Sequence, residues 1–438
     1  MTAAPRARPI WWWPPTAALA ALLGLVTGGC HRDIRLLPGD SEGAAGAGMS
    51  GSGGDAGAGG GGGAGVGGAA GATVACAGLG NPILLPTAGG PTCAAALEQR
   101  GHLYALCACD TLSLAARLRT DSFDSSTSSG DDGVSAAVGS NGSLQTMTGA
   151  ELRAGGAIYV AGNGGVRASE HLQAGASFRS NGPLAMLSSN ADLLADAYVV
   201  GDVSGSVRVS GTLHVPTTAA VGSDVEASLA RQAVSPIAAP CACDSNSADF
   251  VDVAGAIATA MTDNGDSAAG FGPDALSNVS TATQLPLGCG TYYLSSIGAS
   301  PTGPVTLKVS GHALLAVQGS VTLGGGLTVM LDDPSAELDL LVGGWFTTSG
   351  GTVGAPAAPA RFRIWIGGTE SLVFDNQPTI AAVIHAPGAP ATASAGMTLS
   401  GSLLVKSLSF GVDSLVHYDR AILSAGVPCG EKPVAAVP

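Results

Sequence analysis

The run Val138-Gly139-Ser140-Asn141-Gly142 decides how the folded part of this chain is interpreted. Variants of this run recur, with starts 22, 18, 21 and 22 residues apart, as Val160-Ala161-Gly162-Asn163-Gly164, Phe178-Arg179-Ser180-Asn181-Gly182, Val199-Val200-Gly201-Asp202 and Val221-Gly222-Ser223-Asp224. A short apolar strand followed by turn-forming Gly and Asn, repeated about every 20 residues, is typical of one coil of a β-helix. A single coil cannot bury its apolar side alone, so the coils must stack to form a core.

A second series of short strands is predicted toward the C-terminus, and a helix separates it from the first. Helical spacing of Phe250, Val253, Ile257 and Met261 predicts a helix over residues 249–261, and an earlier helix is expected over residues 93–100. The pattern therefore predicts a right-handed parallel β-helix in two segments with a short helix between them. A β-sandwich is the alternative, because its strands have similar turn spacing. The predicted C-terminal strands are 305–309, 313–317, 327–331, 338–342, 362–366, 380–385, 403–405 and 415–418.

The composition excludes several classes of protein. Of the 438 residues, only 11% are charged and 67 are Gly, and the formal net charge is -14. Charge-driven disorder requires many more charged residues than this. Long heptad repeats are absent, which argues against a coiled coil. No cluster of Lys and Arg is present, so nucleic acid is not expected as a partner.

The N-terminus has the features of an export signal followed by a lipid anchor. Arg6 and Arg8 precede a short apolar stretch, residues 16–26, which ends at Gly28-Gly29-Cys30. A stretch of this length is typical of a secretory signal rather than of a membrane span. The ending resembles the lipobox of bacterial lipoproteins, so Cys30 is the predicted lipidation site; an ordinary signal peptide is the alternative. Gly makes up 16 of the next thirty residues from 43 to 72, which predicts a flexible tether.

The remaining cysteines form an even set, which in an exported chain favours disulfides. Two of them, in Cys107-Ala108-Cys109-Asp110, recur in the same pattern as Cys241-Ala242-Cys243-Asp244. Cysteines two positions apart rarely bond to each other, so each pair is expected to bond elsewhere. A zinc site built from the two pairs is the alternative. The candidates for disulfide bonding are Cys76, Cys93, Cys107, Cys109, Cys241, Cys243, Cys289 and Cys429.

These features divide the chain into seven predicted segments. They are a signal peptide (1–29), a lipidated N-terminus with a disordered tether (30–72), a Cys-rich entry segment (73–133), a first β-helix segment (134–240), a Cys-containing helical connector (241–291), a second β-helix segment (292–428) and a tail (429–438).

Few residues suggest a chemical site. Arg361, Arg363 and Trp365 share one face of a predicted strand and form a candidate contact stripe for anionic glycans or a protein partner. His417-Tyr418-Asp419 places a base beside an acid, but it is expected to cap the end of the β-helix. An acidic, Ser-rich loop containing Asp121, Asp124, Asp131 and Asp132 lacks the ligand spacing of known calcium motifs and is expected to be solvated. No catalytic residue, metal site or cofactor is predicted.

The C-terminal region resembles a known family. The resemblance rests on Gly311-His312-Ala313-Leu314-Leu315-Ala316-Val317-Gln318-Gly319, on residues 381–387, on residues 399–408 and on Val416-His417-Tyr418-Asp419. These runs look like a β-rich domain of bacterial surface and pilus-assembly-associated proteins, for which no reaction is established. The Gly/Ala tether is similar to that of myxobacterial lipoproteins carrying this domain. The resemblance implies a β-solenoid on the cell envelope.

The expected function is that of a non-catalytic lipoprotein of the cell envelope with a structural, adhesive or assembly role. The expected location is the outer membrane, to which a lipid anchor would attach it, with envelope glycans or a surface protein as candidate partners. Two alternatives are a β-helix enzyme acting on polysaccharide and an accessory subunit of a pilus or secretion apparatus. The enzyme would need paired carboxylates in a groove, and charged residues are sparse in the repeats.

Overall fold

Short strands make up most of the described chain. The structure is a computed structural model that describes residues 78–127 and 136–425. Its N-terminal part contains β1 (Leu84–Leu85), β2 (Thr92–Cys93), helix α1 (Ala94–Gly101), β3 (Leu106–Ala108), β4 (Leu112–Leu114) and β5 (Leu118–Phe123). The first series contains β6 (Val138–Ser140), β7 (Leu144–Thr146), β8 (Leu152–Ala154), β9 (Ile158–Val160), β10 (Val166–Ala168), β11 (Leu172–Ala174), β12 (Phe178–Ser180), β13 (Leu184–Leu193), β14 (Ala197–Val199), β15 (Val203–Val215) and β16 (Val225–Arg231).

Two helices and the second series of strands follow. The helices are α2 (Val253–Thr262) and α3 (Asp266–Ala269). The strands are β17 (Thr283–Leu287), β18 (Gly290–Leu294), β19 (Ile297–Ala299), β20 (Val305–Val309), β21 (His312–Val317), β22 (Val321–Leu323), β23 (Leu327–Leu331), β24 (Glu337–Val342), β25 (Phe346–Ser349), β26 (Thr352–Gly354), β27 (Phe362–Ile366), β28 (Leu372–Asp375), β29 (Thr379–Ala386), β30 (Ala391–Ala393), β31 (Thr398–Val405), β32 (Leu408–Phe410) and β33 (Ser414–Asp419). Two 3-10 helices span Pro359–Arg361 and Arg420–Leu423.

All strands except β1 and β2 belong to one sheet of 31 strands, in which neighbouring strands of the described residues pair in parallel. In the regular parts, each strand pairs with the third strand after it, as β17 does with β20 and β20 with β23. Three consecutive strands therefore form a rung that contributes one strand to each of three rows. Row A includes β17, β20 and β23; row B includes β18, β21 and β24; row C includes β19, β22 and β25.

The two series of strands are joined by a rung from the N-terminal part of the chain. Strand β3 pairs with β31 on one side and with β6 on the other. Likewise β4 lies between β32 and β7, and β5 lies between β33 and β8. We call β3, β4 and β5 the central rung. The chain thus starts in the middle of the stack, runs to one end at β16, and returns to the other end at β17.

This topology corrects the predicted segment boundaries. The entry segment, 73–133, contributes the central rung instead of preceding the β region. The second series begins at Thr283, before the predicted start at residue 292, and the two series form one continuous sheet. The helices at residues 93–100 and 249–261 are found as α1 and α2. The N-cap of α2 is Asp252, which accepts a hydrogen bond from the backbone N–H of Gly255 at 2.9 Å.

Burial along the strands explains the placement of the helices. In the first series a strand such as β8 buries Leu152 and Ala154 and exposes Arg153, as expected for a one-sided sheet. Strands β21, β24 and β27 are buried at every position. Their outward apolar residues pack beneath α1 and α2 in a cluster of Leu85, Ala94, Leu97, Val251, Val253, Ala256, Ile257, Ala260, Tyr293, Leu314, Ala316, Leu341 and Trp365. Their other outward residues are His312, Glu337, Asp339 and Arg363, which are also buried.

Candidate functional site

The outer side of row B carries most of the unusual chemistry of the described residues. The connector that follows β16 returns across it, and asparagines from the repeated runs hold the connector backbone. Asn181 donates from Nδ2 to the carbonyl of Ile237 at 2.8 Å and accepts from its N–H at 2.8 Å. Asn141 makes the same pair of bonds with Cys241, both at 2.9 Å. The repeated Asn therefore has a second role, beyond the turn formation that the sequence suggested.

Two disulfides fix the connector to the central rung. Cys107 bonds to Cys241 and Cys109 to Cys243, and both bonds span 134 residues. The bonding from one Cys-x-Cys pair to the other is consistent with disulfides and not with the zinc alternative. Gly139 lies in the next strand of row B, where an added Cβ would lie 2.8 Å from the Cys107 sulfur. Cys93 and Cys289 are also disulfide-bonded. The candidates Cys76 and Cys429 and the lipidation candidate Cys30 lie outside the described residues.

A cluster of charged side chains is buried where α1 covers row B. The guanidinium of Arg363 donates to Asp339 at 2.8 and 2.9 Å and to Glu337 at 2.6 Å. It also donates to Glu98, from α1, at 3.1 Å. The indole of Trp365 donates to Asp339 at 2.7 Å. Arg363 is only 1% exposed and Glu98 is 0% exposed, so the cluster joins the helix to two adjacent strands, β24 and β27, beneath the protein surface.

The electrostatics of this cluster follow from three carboxyl groups around one cation. Burial raises the pKa of Glu98 well above its usual value, although attraction to Arg363 opposes this effect. Burial alone would lower the pKa of Arg363, but the carboxylates of Asp339 and Glu337 raise it well above the usual value. Oε1 of Glu98 and Oε1 of Glu337 have no hydrogen-bond partner among the described residues. Arg363 is therefore the cation that compensates the negative charge of the buried carboxylates.

Buried histidines lie beside the charge cluster. Nδ1 of His102 lies 2.9 Å from the hydroxyl of Ser402, and the rings of His102 and His385 are 5.5 Å apart. The Trp365 ring lies 5.1 Å from that of His385. Burial lowers the pKa of His385 to about 4, and burial together with His385 lowers the pKa of His102 well below its usual value. Both rings are therefore neutral near pH 7.

The space next to the Arg363 charge cluster is too small for a substrate. The cavity bounded by His312, Glu337 and Arg363 has a volume of about 10 Å³. The one beside Trp365 and His385 has a volume of about 50 Å³. A single water needs roughly 10–15 Å³ of such space. The buried charge cluster consequently holds α1 on the sheet, and nothing larger than a few waters fits beside it. His385 also lines a more open cavity of about 450 Å³ next to the start of α2.

The predicted contact stripe is wrong as an exposed surface. Arg363 and Trp365 do face outward from row B, as the alternation implied, but α1 covers them and leaves each 1% exposed. Arg361 lies in the 3-10 helix Pro359–Arg361, before the strand starts, and is partly exposed. The sequence analysis missed Glu98, Glu337 and Asp339. A signal existed: Asp339 and Arg363 are charged residues inside apolar runs, and they occupy paired positions in β24 and β27.

The last residues of β33, which are His417, Tyr418 and Asp419, bind neighbouring segments of the chain through hydrogen bonds. Asp419 accepts hydrogen bonds from the backbone N–H groups of Ser125, Ala421 and Ala360 at 3.0, 3.1 and 3.3 Å. Tyr418 donates to the carbonyl of His102 at 2.8 Å, and His417 pairs with Asp121. Asp419 does cap a helix, but the rung itself is not the end of the stack, because the central rung covers it.

The acidic loop shows no calcium site in its described part. Asp124 accepts from the N–H of Ser126 at 2.9 Å, and the hydrogen bond from the Ser126 hydroxyl lowers the pKa of this aspartate. Asp131 and Asp132 lie outside the described residues. Within 78–127 and 136–425, no group of three or more His, Cys, Asp or Glu is arranged to hold a metal. No helix in these ranges is long and apolar enough to cross a membrane.

A larger cleft lies beside the two 3-10 helices. Its volume is about 760 Å³, and its walls come mainly from β23 and the residues that follow it, 332–334, from residues 355–361 and from residues 421–425. Ala and Pro are the commonest residue types among the apolar residues of the lining. Its charged residues are Asp332, Asp333 and Arg361, and Asp332 pairs with Lys308 at 3.5 Å. The described lining residues include hydroxyls and carboxylates but no His, Cys or Glu.

One family model matches the C-terminal part of the chain. Residues 242–424 match a domain of unknown function, DUF7305. The matched DUF7305 segment contains α2, α3 and the whole second series, but not the central rung. In this chain the last rung of the DUF7305 segment is therefore covered by strands from outside it. No curated protein and no solved structure matches the chain.

Proposed function

We propose that this protein is a non-catalytic lipoprotein of the bacterial cell envelope with a structural or adhesive role. The observation that supports this proposal best is the use of the buried ionisable groups. Arg363 is held by three carboxyl partners, one of them from α1, and the cavity beside this cluster has a volume of only about 10 Å³. A glycan-cleaving site instead needs two carboxyl groups with a sugar between them.

The body that would perform this role is, in our proposal, a right-handed parallel β-helix. Parallel pairing of every third strand in three rows supports a coil, since each rung stacks on the next. Crossovers between parallel strands are right-handed in nearly all known cases. The connector and its two disulfides bind the coil along its length, which suits a domain exposed outside the cytoplasm.

Attachment to the membrane is proposed through Cys30 and the Gly-rich tether, residues 43–72. The spacing of the basic residues, the apolar stretch and Gly28-Gly29-Cys30 supports this proposal. A lipidated Cys30 would hold the body at a membrane, and the tether would separate the two. This location would also agree with the resemblance to a β-rich domain of bacterial surface and pilus-assembly-associated proteins, which belong to the cell envelope.

Two measurements test the proposal. The full-length protein and its Cys30→Ala variant are expressed in a bacterium with an outer membrane and labelled with a palmitate analogue. The label and membrane association should be lost in Cys30→Ala, and label retained in this variant would contradict the anchor.

For the absence of catalysis, the purified protein is incubated with envelope polysaccharides and the release of reducing ends is measured. No release is expected. Turnover that is lost in Asp333→Asn, with melting unchanged, would establish the enzyme alternative instead and would place its site in the cleft of about 760 Å³.

A further inference from the structure

Arginine side chains line a cavity on the outer side of row A. This row continues from β23 through β26, β29, β31 and β33 to β5 of the central rung. Beside β33 and β5 lies a cavity of about 380 Å³, which Arg117 and Arg119 line together with residues 413–415. Arg153 of β8 is the register partner of Arg119. The fold therefore groups three arginines in a chain with only 18 Lys and Arg residues against 32 acidic ones.

The acidic side chains beside this cavity neutralise two of the three arginines. Glu151 pairs with Arg117 at 3.2 Å and also with Arg153. Asp413 pairs with Arg117 at 3.6 Å and accepts a hydrogen bond from its backbone N–H at 3.0 Å. Both acids are thus already engaged, and neither of them contacts Arg119.

Arg119 has no counter-ion among the described residues. It is exposed and makes no hydrogen bond or ion pair with any of them. Asp121, the next outward residue of β5, is instead paired with His417. The register partner of Arg119 carries the same charge, and like charges at facing positions destabilise a sheet. An anion bound at Arg119 would replace this repulsion with attraction.

The same cavity contains a residue with an unfavourable backbone conformation. Gln377 lines it, and Gln377 and Asn376 are the two described residues other than glycine that have positive φ, at 54° and 58°. A left-handed conformation is disfavoured for residues with a side chain, and residues held in it cluster at functional sites. The side chain of Gln377 is exposed and makes no hydrogen bond with a described residue. Its amide is therefore available to a ligand in the cavity beside Arg119.

A column of hydroxyl groups leads along row A to this arginine. The outward residues at paired positions of successive strands are Thr352, Thr379, Thr398, Leu415, Arg119 and Arg153. Paired strands lie about 4.8 Å apart, so the side chains follow one another closely. None of the three threonine hydroxyls bonds to another described residue. This surface, which we call the threonine column, is a straight row of free hydroxyls that ends at a cation.

We propose that the cavity and the threonine column bind an acidic polysaccharide, with one of its carboxylate or phosphate groups at Arg119. Arginine donates to both kinds of anion with the same planar set of N–H groups. Sugar hydroxyls recur along such a polymer and would bond to Gln377 and to the threonine column. One free cation does not match a nucleic acid, which carries a charge on every unit. The sequence suggested the same class of partner for Arg363, which the structure buries.

This inference rests on the adhesive role proposed above and names its ligand. The experiment measures binding of the full-length protein, purified in detergent, by isothermal titration calorimetry at low salt. The probes are polygalacturonate, which carries carboxylates, phosphomannan, which carries phosphates, and uncharged mannan. At least one acidic polymer should bind, mannan should not, and added salt should weaken the binding because a pair of charges contributes to it.

Variants locate the bound anion. Arg119→Gln should raise the dissociation constant at least about tenfold, because a charged hydrogen bond is lost, and Thr398→Val should raise it about threefold. Arg167→Gln and Thr392→Val are the matched controls, since both residues point outward from strands of row C, and they should bind as the parent does. Without polymer, Arg119→Gln should melt no lower than the parent, because Arg119 contributes only repulsion to the folded body.

The remaining outcomes separate the sources of the anion and the possible failures. Binding of only one acidic polymer, lost in Arg119→Gln, would support the site and assign its ligand to a carboxylate or to a phosphate. Absence of binding, equal binding of mannan, or binding that survives Arg119→Gln would overturn the site. Preferential binding of a single-stranded DNA probe would also overturn it. The Cys30→Ala test of the anchor does not involve this surface, so an intact anchor without polymer binding would leave the structural role standing.

Discussion

Replacement of Arg363 by Gln removes the only cation from the buried cluster. Glu98, Glu337 and Asp339 lose their hydrogen bonds to the guanidinium and remain sealed beneath α1. Removing one partner of a buried ion pair costs about 3–5 kcal/mol, because the remaining charge stays out of water. We therefore expect the free energy of unfolding to fall by about 4 kcal/mol.

The change in melting temperature follows from the size of the body. Unfolding entropy is about 2.1 cal/mol/K per residue, or roughly 0.7 kcal/mol/K for the roughly 340 described residues. A loss of about 4 kcal/mol then lowers the melting temperature by about 5–6 °C. Circular dichroism of the full-length protein at pH 7.5 measures this shift. At pH 5 the shift should be smaller, because the orphaned carboxyl groups can be neutralised by protons.

Arg361→Gln is the matched control, since it makes the same chemical change two residues earlier at a partly exposed position. Its effect should stay within about 0.5 kcal/mol. The reasoning is refuted if Arg363→Gln melts within a degree or so of Arg361→Gln at pH 7.5. It is also refuted if the loss in Arg363→Gln grows as the pH is lowered.

Three further predictions concern the cover of row B. Burial lowers the pKa of His385 from 6.5 to about 4, so unfolded chains take up the proton first and up to about 3 kcal/mol of stability is lost as the pH falls from 6.5 to 4. Acids whose pKa is raised by burial, such as Glu98, have the opposite pH trend. The test is therefore the difference in the free energy of unfolding between the parent and His385→Gln, measured at each pH. This difference should change between pH 6.5 and 4, and a constant difference would show that His385 does not titrate in this window. Asn181→Ala removes both bonds to Ile237 and should speed proteolysis within residues 232–240, whereas Asn163→Ala, at an exposed position of the same repeat, should not; equal cleavage would contradict the role of Asn181. Replacing Cys107 and Cys241 together by Ser should cost about 2–5 kcal/mol in urea unfolding, and an unchanged midpoint would exclude this bond as a stabilising link.

Much of the local structure follows from sequence alone. Strands such as β20, β23 and β27 begin and end where their apolar runs do, since the Gly, Pro and Asp residues that flank these runs favour turns. Helix α2 follows from the spacing of Val253, Ile257 and Met261, although it begins four residues after the predicted start at residue 249. That each Cys-x-Cys pair bonds to cysteines elsewhere also follows, because neither pair can readily bond to itself, but the bonding of one pair to the other came from the structure. These features depend on residues close together in the chain, or on the chemistry of one residue type.

Tertiary structure alone decided the order of the rungs and the state of the charges. Every short apolar strand in this chain can stack on any other, so no local pattern states that β3, β4 and β5 lie between β33 and β6. The alternation around Arg363 correctly predicts a side chain that points away from the core. Whether that side meets water or a helix depends on α1, which lies far away in the chain and brings Glu98 with it. Sequence fixes the direction of a side chain because strand geometry is local, whereas its environment is set by whatever the fold packs against it.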